Sequence, residues 1–486
     1  MSRSYTCLAS LLLATSVLGG CESRGAAPAT PVTPADGGAP SADPADPTPD
    51  ELAARGSCPA ASGAGTKHEG IITADETWKA ADGPHDVTFG LDIRATVTIE
   101  PCALVRVAKG VRISVGSSTD VGSLVARGTS QVTGGTRDVR PVNFDALDPA
   151  SPWGQIIVYA KGTLDLSIAA IQNGGGETTD ARGALVVTGV AGGTNDGEPL
   201  RSTTIDRVLI DKSASYGLNL EAWGALTEGS DKLWIRGSGS TELPSAIRIE
   251  PGIAATLPKT IVATGNVKDE ILMLTSKTFT RNDTLVNRGL PYRQKGALYL
   301  NGSKDGAPVK LTVEPGVTLG FDENVGSGMY IGSGDTRQGI LEAVGTADAP
   351  IVFTSAKTTK AAGDWLSLYF KSTPKTGSKI SYARVEYAGA AGTTTGFGCG
   401  PSANDGAVFI HGTGPDDGGP ASVFIDHTTF ENIGGTTVIV SGWTDASGPN
   451  FTGDNTFGSA IPSCKVSKPR RSGGGDVCDG GRTTCW

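Results

Sequence analysis

From about Lys67 onward the chain reads as short apolar alternations cut by Gly, Asn and Asp. Val111-Arg112-Ile113-Ser114-Val115, Leu164-Asp165-Leu166-Ser167-Ile168 and Ser422-Val423-Phe424-Ile425-Asp426 are representative. A period of two sends alternate side chains to opposite faces of a strand, and each run ends in turn-forming residues. No segment carries a sustained apolar stripe at 3.6-residue spacing, so the pattern predicts many short strands and little helix.

Two stretches depart from it. Leu8 to Leu18 is an uncharged, largely apolar stretch of eleven residues behind Arg3, long enough for a signal peptide and too short for a transmembrane helix. Residues 25–50 hold seven Pro and seven Ala, with four Asp as their only charges. That composition offers too little apolar surface to fold and favours extended polyproline II, so a stalk is expected.

The strand-rich part contains a tandem duplication. Thr98-Ile99-Glu100-Pro101-Cys102 returns as Thr312-Val313-Glu314-Pro315-Gly316, and Gly122 to Thr129 returns as Gly339 to Thr346. Trp153 corresponds to Trp365, Gly183-Ala184-Leu185 to Gly406-Ala407-Val408, and Ile205-Asp206 with Trp223 to Ile425-Asp426 with Trp443. A third Ile249-Glu250-Pro251-Gly252 closes the first copy. Pro cannot donate to a sheet ladder and Gly tolerates positive φ, so Glu-Pro-Gly reads as a tight corner between strands. The expected organisation is a signal peptide (1–20), a lipidated cysteine and stalk (21–57), two repeat units (58–265 and 266–464) and a Gly-rich tail (465–486).

Composition narrows the picture. The chain has 69 Gly among 486 residues and a net charge of −9. Glycine at about twice its ordinary share suits a chain that turns often, and without a triplet period it excludes collagen. The acidic balance argues against a nucleic-acid partner.

Leu18-Gly19-Gly20-Cys21 resembles a bacterial lipoprotein signal, which implies cleavage before Cys21, lipidation of that residue and a membrane partner through the anchor. Glu22 is not the Asp that retains such proteins at the inner membrane, so the outer membrane is expected, at its surface or periplasmic face. The run Leu311 to Phe321, then Gly339 to Thr354, Gly363 to Phe370 and Ile380 to Tyr387, resembles bacterial lipoproteins of the right-handed parallel β-helix type, whose activities are mostly undefined. The resemblance implies an all-β solenoid in which each coil pairs with its neighbours. Coils of about 22 residues would then give roughly eighteen rungs and a rod of about 85 Å. Two β-sandwiches joined by hairpins are the alternative fold.

With Cys7 lost and Cys21 lipidated, six cysteines remain: Cys58, Cys102, Cys399, Cys464, Cys478 and Cys485. An even number in an exported chain points to disulfides. Cys399 and Cys464 both lack counterparts in the first copy, which pairs them; Cys58–Cys102 and Cys478–Cys485 complete the expected set. A metal site is the competing reading, weakened by the absence of C-x-x-C and by only four His: His68, His85, His411 and His427.

No catalytic motif of nucleophile, zinc or nucleotide type is present. Asp322-Glu323 is a candidate ligand contact, although the first copy carries Ala108-Lys109 there. Asp145, Asp148 and Asp364 read as turn formers. Asp416-Asp417 leave Ca²⁺ as the one cofactor to consider, in a loop without regular ligand spacing. Trp234 has no aromatic partner in the second copy and is a second candidate ligand contact, since flat rings stack on sugar faces. Lys465, Lys468, Arg470 and Arg471 make the tail basic.

The sequence therefore supports a lipid-anchored envelope scaffold for display, adhesion or glycan binding without turnover, its partner a polysaccharide or envelope protein. The alternative is a polysaccharide lyase or hydrolase on the same β-helix. A dense acid or base cluster along one sheet would favour the enzyme.

Overall fold

The structure, a computed structural model, describes residues 46–486 apart from 179–180, 190–197, 275–277, 280, 303–306, 323–325, 333–337, 372–373, 392–404, 411–422, 442–448 and 468–484. Pro44–Trp486 forms one unit by its internal contacts. It is a parallel β-helix solenoid. Apart from the hairpin Thr129–Thr133/Thr136–Arg140, every pairing between its strands is parallel.

One ladder crosses both repeats without a break. Ile72, Ile93, Val115, Val158, Val187, Leu220, Ile249, Met273, Gln294, Phe321 and Ser355 stand in register, each paired with the next. Strands Ala383–Glu386, Thr429–Glu431 and Thr456–Phe457 extend it to fourteen rungs. At a spacing of roughly 4.8 Å the ladder is about 60 Å long, shorter than the expected rod. The expectation of eighteen uniform coils fails because coil length varies. Val115 follows Ile93 by 22 residues, but Val158 follows Val115 by 43, the excess including the hairpin at 129–140.

The two repeats do not stack like on like. In the first, the coil order is Gly122–Arg127, Val142–Ala146, Ile156–Val158, and the third strand lies in the continuous ladder. The matching strands of the second are Gly339–Val344, Ile351–Ser355 and Leu368–Phe370, and here the second strand lies in the ladder. The exchange falls on Lys268–Met273. It follows Ile261–Thr264 as the last strand of a coil of the first kind, and Thr278–Phe279 then begins a new seven-stranded sheet. A separate five-stranded sheet runs from Asp283–Leu285 to Ile425–Asp426.

Corners follow two rules. At the Glu-Pro corners Gly252 and Gly316 take φ of 95° and 80°, as the motif predicts, and Cys102 takes 68° in the same place. Between adjacent sheets the strand instead bends at one non-glycine residue with positive φ: Ile168, Arg207 and Lys232 in the first unit, Tyr382 and His427 in the second. Glycine therefore accounts for only part of the turning. Each such residue holds a backbone shape that costs an L side chain roughly 1–2 kcal/mol, which the hydrogen-bonded rungs on either side must offset.

The ordered chain also begins earlier than the expected stalk boundary. Pro49–Ala53 is a helix with a capping box: Thr48 Oγ1 accepts from Glu51 N at 3.2 Å, and Glu51 Oε2 accepts from Thr48 N at 2.7 Å. Its Leu52 is fully buried among Val139, Ile168, Ala170 and Leu209. A five-residue helix is too short to persist alone, so this packing and the ion pairs Arg137–Glu51 and Arg236–Asp50 hold it.

Two disulfides are described. Cys58 bonds Cys102, as expected. Cys464 bonds Cys485, which overturns both the 399–464 and the 478–485 pairings. The reason is register: Cys464 opens the last strand of the seven-stranded sheet, and Cys485 lies beside it through the Ser467–Cys485 bridge. Cys399 and Cys478, like Cys21, lie outside the described residues.

Candidate functional site

Along the middle of the continuous ladder, inward positions are apolar and the outward column includes two arginines. Leu218 and Leu220, Ile247 and Ile249, and Ile271 and Met273 fill the core, while Asn219, Arg248, Leu272, Arg293 and Gly320 stack outward in register. Beside that column lie Glu221, Glu270 and Asp322. Arg293 forms a two-point fork on Asp322, Nε to Oδ1 at 2.6 Å and Nη2 to Oδ2 at 2.9 Å, and its Nη1 reaches Glu270 at 3.0 Å. Two coils earlier, Arg248 Nη1 donates to Glu221 at 2.7 Å and to Asn219 Oδ1 at 3.0 Å, with its guanidinium over the Tyr216 ring. Ser245 Oγ completes Glu270 at 2.7 Å.

These five charged side chains keep only 12–18% of their surface exposed. Forked hydrogen bonds of opposite charge are strong and directional, so each links one coil to the next. The hydrogen bond Arg293 donates to Asp322, opposed by burial and reinforced by Glu270, holds its guanidinium above the ordinary arginine range. A general acid or base needs a lone pair or proton free to face substrate. Both oxygens of Asp322 are taken by Arg293, so this cluster joins coils.

Asp322 is thus an ion-pair partner in the structure, and Glu323 lies outside the described residues. Trp234 packs against the buried cluster beneath the N-terminal helix. The residue remains partly exposed there. Asp148 accepts from Ala150 N and Asp364 from Ala361 N, the turn chemistry expected of them, whereas Asp145 lies within strand Val142–Ala146 and accepts from Asn173 Nδ2, 28 residues on. Trp153 and Trp365 are both fully buried, and each indole donates to a backbone carbonyl at 2.7 Å, Gln172 and Glu386 respectively. His427 stacks on Tyr382, while His411, Trp443 and the Asp416-Asp417 loop lie outside the described residues. Among the described residues no group of three or more His, Cys, Asp or Glu is placed to hold a metal.

The seven-stranded sheet carries a feature that sequence inspection misses. Tyr299, Tyr330, Tyr369 and Phe409 occupy one outward column in register. Their ring centroids lie 5.1, 5.6 and 4.7 Å apart. Lys371 Nζ sits 4.8 Å from the Tyr330 centroid, a cation–π contact. Burial, with Tyr330 adding to it, pushes the Tyr369 hydroxyl up to about 12. The rings are 31, 39 and 40 residues apart in sequence, a spacing that means nothing until the coil lengths are known. Tyr299 and Tyr330 stack on one another, and both are half-buried. No family model, curated protein or solved structure matches this chain.

Proposed function

We propose that this chain is a lipid-anchored envelope scaffold of the bacterial β-helix lipoprotein type, which presents an extended surface for glycan or envelope-protein binding without turnover. The observation that carries the reading is the paired ladder at Glu221, Arg248, Glu270, Arg293 and Asp322, whose charges are used between coils. A sheet stiffened this way suits presentation, and the half-buried Tyr299 and Tyr330 are side chains of the kind sugars contact. The anchor reading rests on Leu18-Gly19-Gly20-Cys21, with Cys21 as the lipidated residue, and the outer-membrane reading on Glu22 in place of Asp.

The test is a glycan-array screen of the full chain in detergent, with product analysis of each hit. Retention of intact glycans, weakened by Tyr330→Ala, is the expected result. Shortened oligosaccharides in the eluate would favour the lyase or hydrolase instead. For the anchor, Cys21→Ser is expected to abolish palmitate labelling and release the protein from the membrane fraction; unchanged labelling would reject it.

A further inference from the structure

At the junction of the two repeats lies a cavity of about 370 Å³, lined by Arg201, Glu228, Lys259 and Arg288 among others. Arg201 stands near the start of strand Leu200–Asp211. Lys259 follows the short 3-10 turn Ala254–Thr256, and Arg288 follows strand Asp283–Leu285. Three elements from both sides of the junction thus bring three cations to one opening, in a chain whose net charge is −9.

Most nearby cations are neutralised: Arg207 pairs with Asp206, Lys232 with Asp46, Arg236 with Asp211 and Arg281 with Glu198. Among the described residues lining the cavity the only carboxylate is Glu228, 89% exposed and 3.7 Å from Arg201. Lys259 and Arg288 make no ion pair among the described residues, and Arg288 Nε is buried without a hydrogen-bond partner. Leaving such a donor unmade is costly, and three like charges around one opening repel. Both costs fall when an anion enters. Hydroxyls complete the lining. Ser230 Oγ accepts from Ile205 N, which leaves its proton to donate, and Thr227 Oγ1 shares a hydrogen bond with Thr204.

We propose that this cavity is an oxyanion-binding site, with Lys259 and Arg288 as the charged donors, Arg201 in support and Ser230 as a neutral donor. Its ligand carries at least two acceptor oxygens on one group, either as a free anion or as the acidic group of a saccharide. The volume falls in the range of small-ligand pockets. The site stands independently of the glycan reading above, since it draws on none of the residues used there.

The experiment is calorimetric titration of the full chain with inorganic phosphate and, separately, with trigalacturonate, both against sodium chloride of matched ionic strength. Saturable binding of at least one probe is expected, weakened about tenfold by Lys259→Gln and again by Arg288→Gln. Arg288→Lys should restore part of the loss. Phosphate binding alone would identify a free anion as the ligand, and tighter trigalacturonate binding would identify an acidic saccharide. Lys259 is exposed, so Lys259→Gln is expected to melt with the parent and to serve as the folded control. The proposal is overturned if neither probe saturates under matched salt, or if both substitutions leave the affinity unchanged.

Discussion

The two repeat units solve the same packing problem with different side chains. In the first, strands such as Gly162–Gln172 and Leu200–Asp211 run through a corner and line two sheets at once, and the core is mainly Val, Ile and Leu. In the second the sheets are separate, many strands are three or four residues long, and aromatic side chains fill the interior: Phe279, Tyr292, Phe321, Phe353, Trp365, Phe370, Phe430 and Phe451 are all fully buried. Short strands send fewer side chains inward per coil, so each must be larger to reach interior packing density. Phe321 stacks on Trp365 at 4.4 Å, and Phe430 on Phe457 at 5.5 Å, one coil apart. Each unit carries a disulfide near its outer end, Cys58–Cys102 in the first and Cys464–Cys485 in the second, and the first adds the docked helix at 49–53. A duplicated sequence can keep its corners while its two copies diverge in how they fill the space between them.

The largest effect should come from the aromatic core. Phe353→Ala is expected to cost about 3–5 kcal/mol in urea unfolding, whereas Ile249→Val in the first unit should cost about 1 kcal/mol. Equal costs would remove the contrast. Next comes the first unit's covalent restraint: Cys58→Ala with Cys102→Ala should lose about 3 kcal/mol. Replacing Cys102 with Gly in the same background should recover a fraction of that, because the residue sits at a φ of 68°. Peptide mapping without reduction should recover Cys58 with Cys102 and Cys464 with Cys485; a peptide joining Cys399 to Cys464 would refute the described pairing.

Acid separates the units in sign. Asp283, in the second unit, is buried where it caps the turn at Ala254 and Ala255, and burial pushes its carboxyl up to about 6. A folded pKa above the unfolded one means that the native state holds the extra proton. This group's contribution is therefore greatest below about pH 4 and is lost as pH rises through 6, by up to roughly 3 kcal/mol. His68, in the first unit, is stacked on Trp78 and bonded to His85, and burial, with His85 adding to it, lowers its pKa. Its contribution is present above pH 6.5 and falls with acidification. Between pH 7 and 5, Asp283→Asn should therefore remove an acid-induced gain in stability, and His68→Gln an acid-induced loss. Slopes of the same sign would defeat that assignment. The smallest effect is local: Thr48→Ala should weaken protease protection of residues 46–57 by about 1 kcal/mol and leave the second unit untouched.

Much of the architecture was legible because it is written locally. Alternation at residues such as Leu164, Leu166 and Ile168 and the corners at Glu250-Pro251-Gly252 need no knowledge of distant residues. The helix at 49–53 was also within reach, since Thr48-Pro49-Asp50-Glu51 is a capping-box signature. It was obscured by the proline-rich composition around it. The candidate surfaces were hidden for a different reason. Asp322 and Trp234 stand out in sequence by their lack of matching partners, but their contacts involve Arg293 and the cluster around Leu52, which only folding brings beside them. Tyr299, Tyr330 and Tyr369 draw no attention until their coils are laid one over another.

The sequence by itself determined the strand period and the Glu-Pro corners, which follow from side-chain alternation and backbone freedom within a few residues, and it showed the duplication by direct comparison of the two copies; the parallel β-helix was implied by the family resemblance. Tertiary structure alone decided that the copies stack one strand out of phase, that Cys464 meets Cys485, and that Arg201, Lys259 and Arg288 converge at the junction. The physical reason is that parallel pairing joins strands separated by loops of unequal length. Register is therefore a property of the stacked coils, and no single segment contains it.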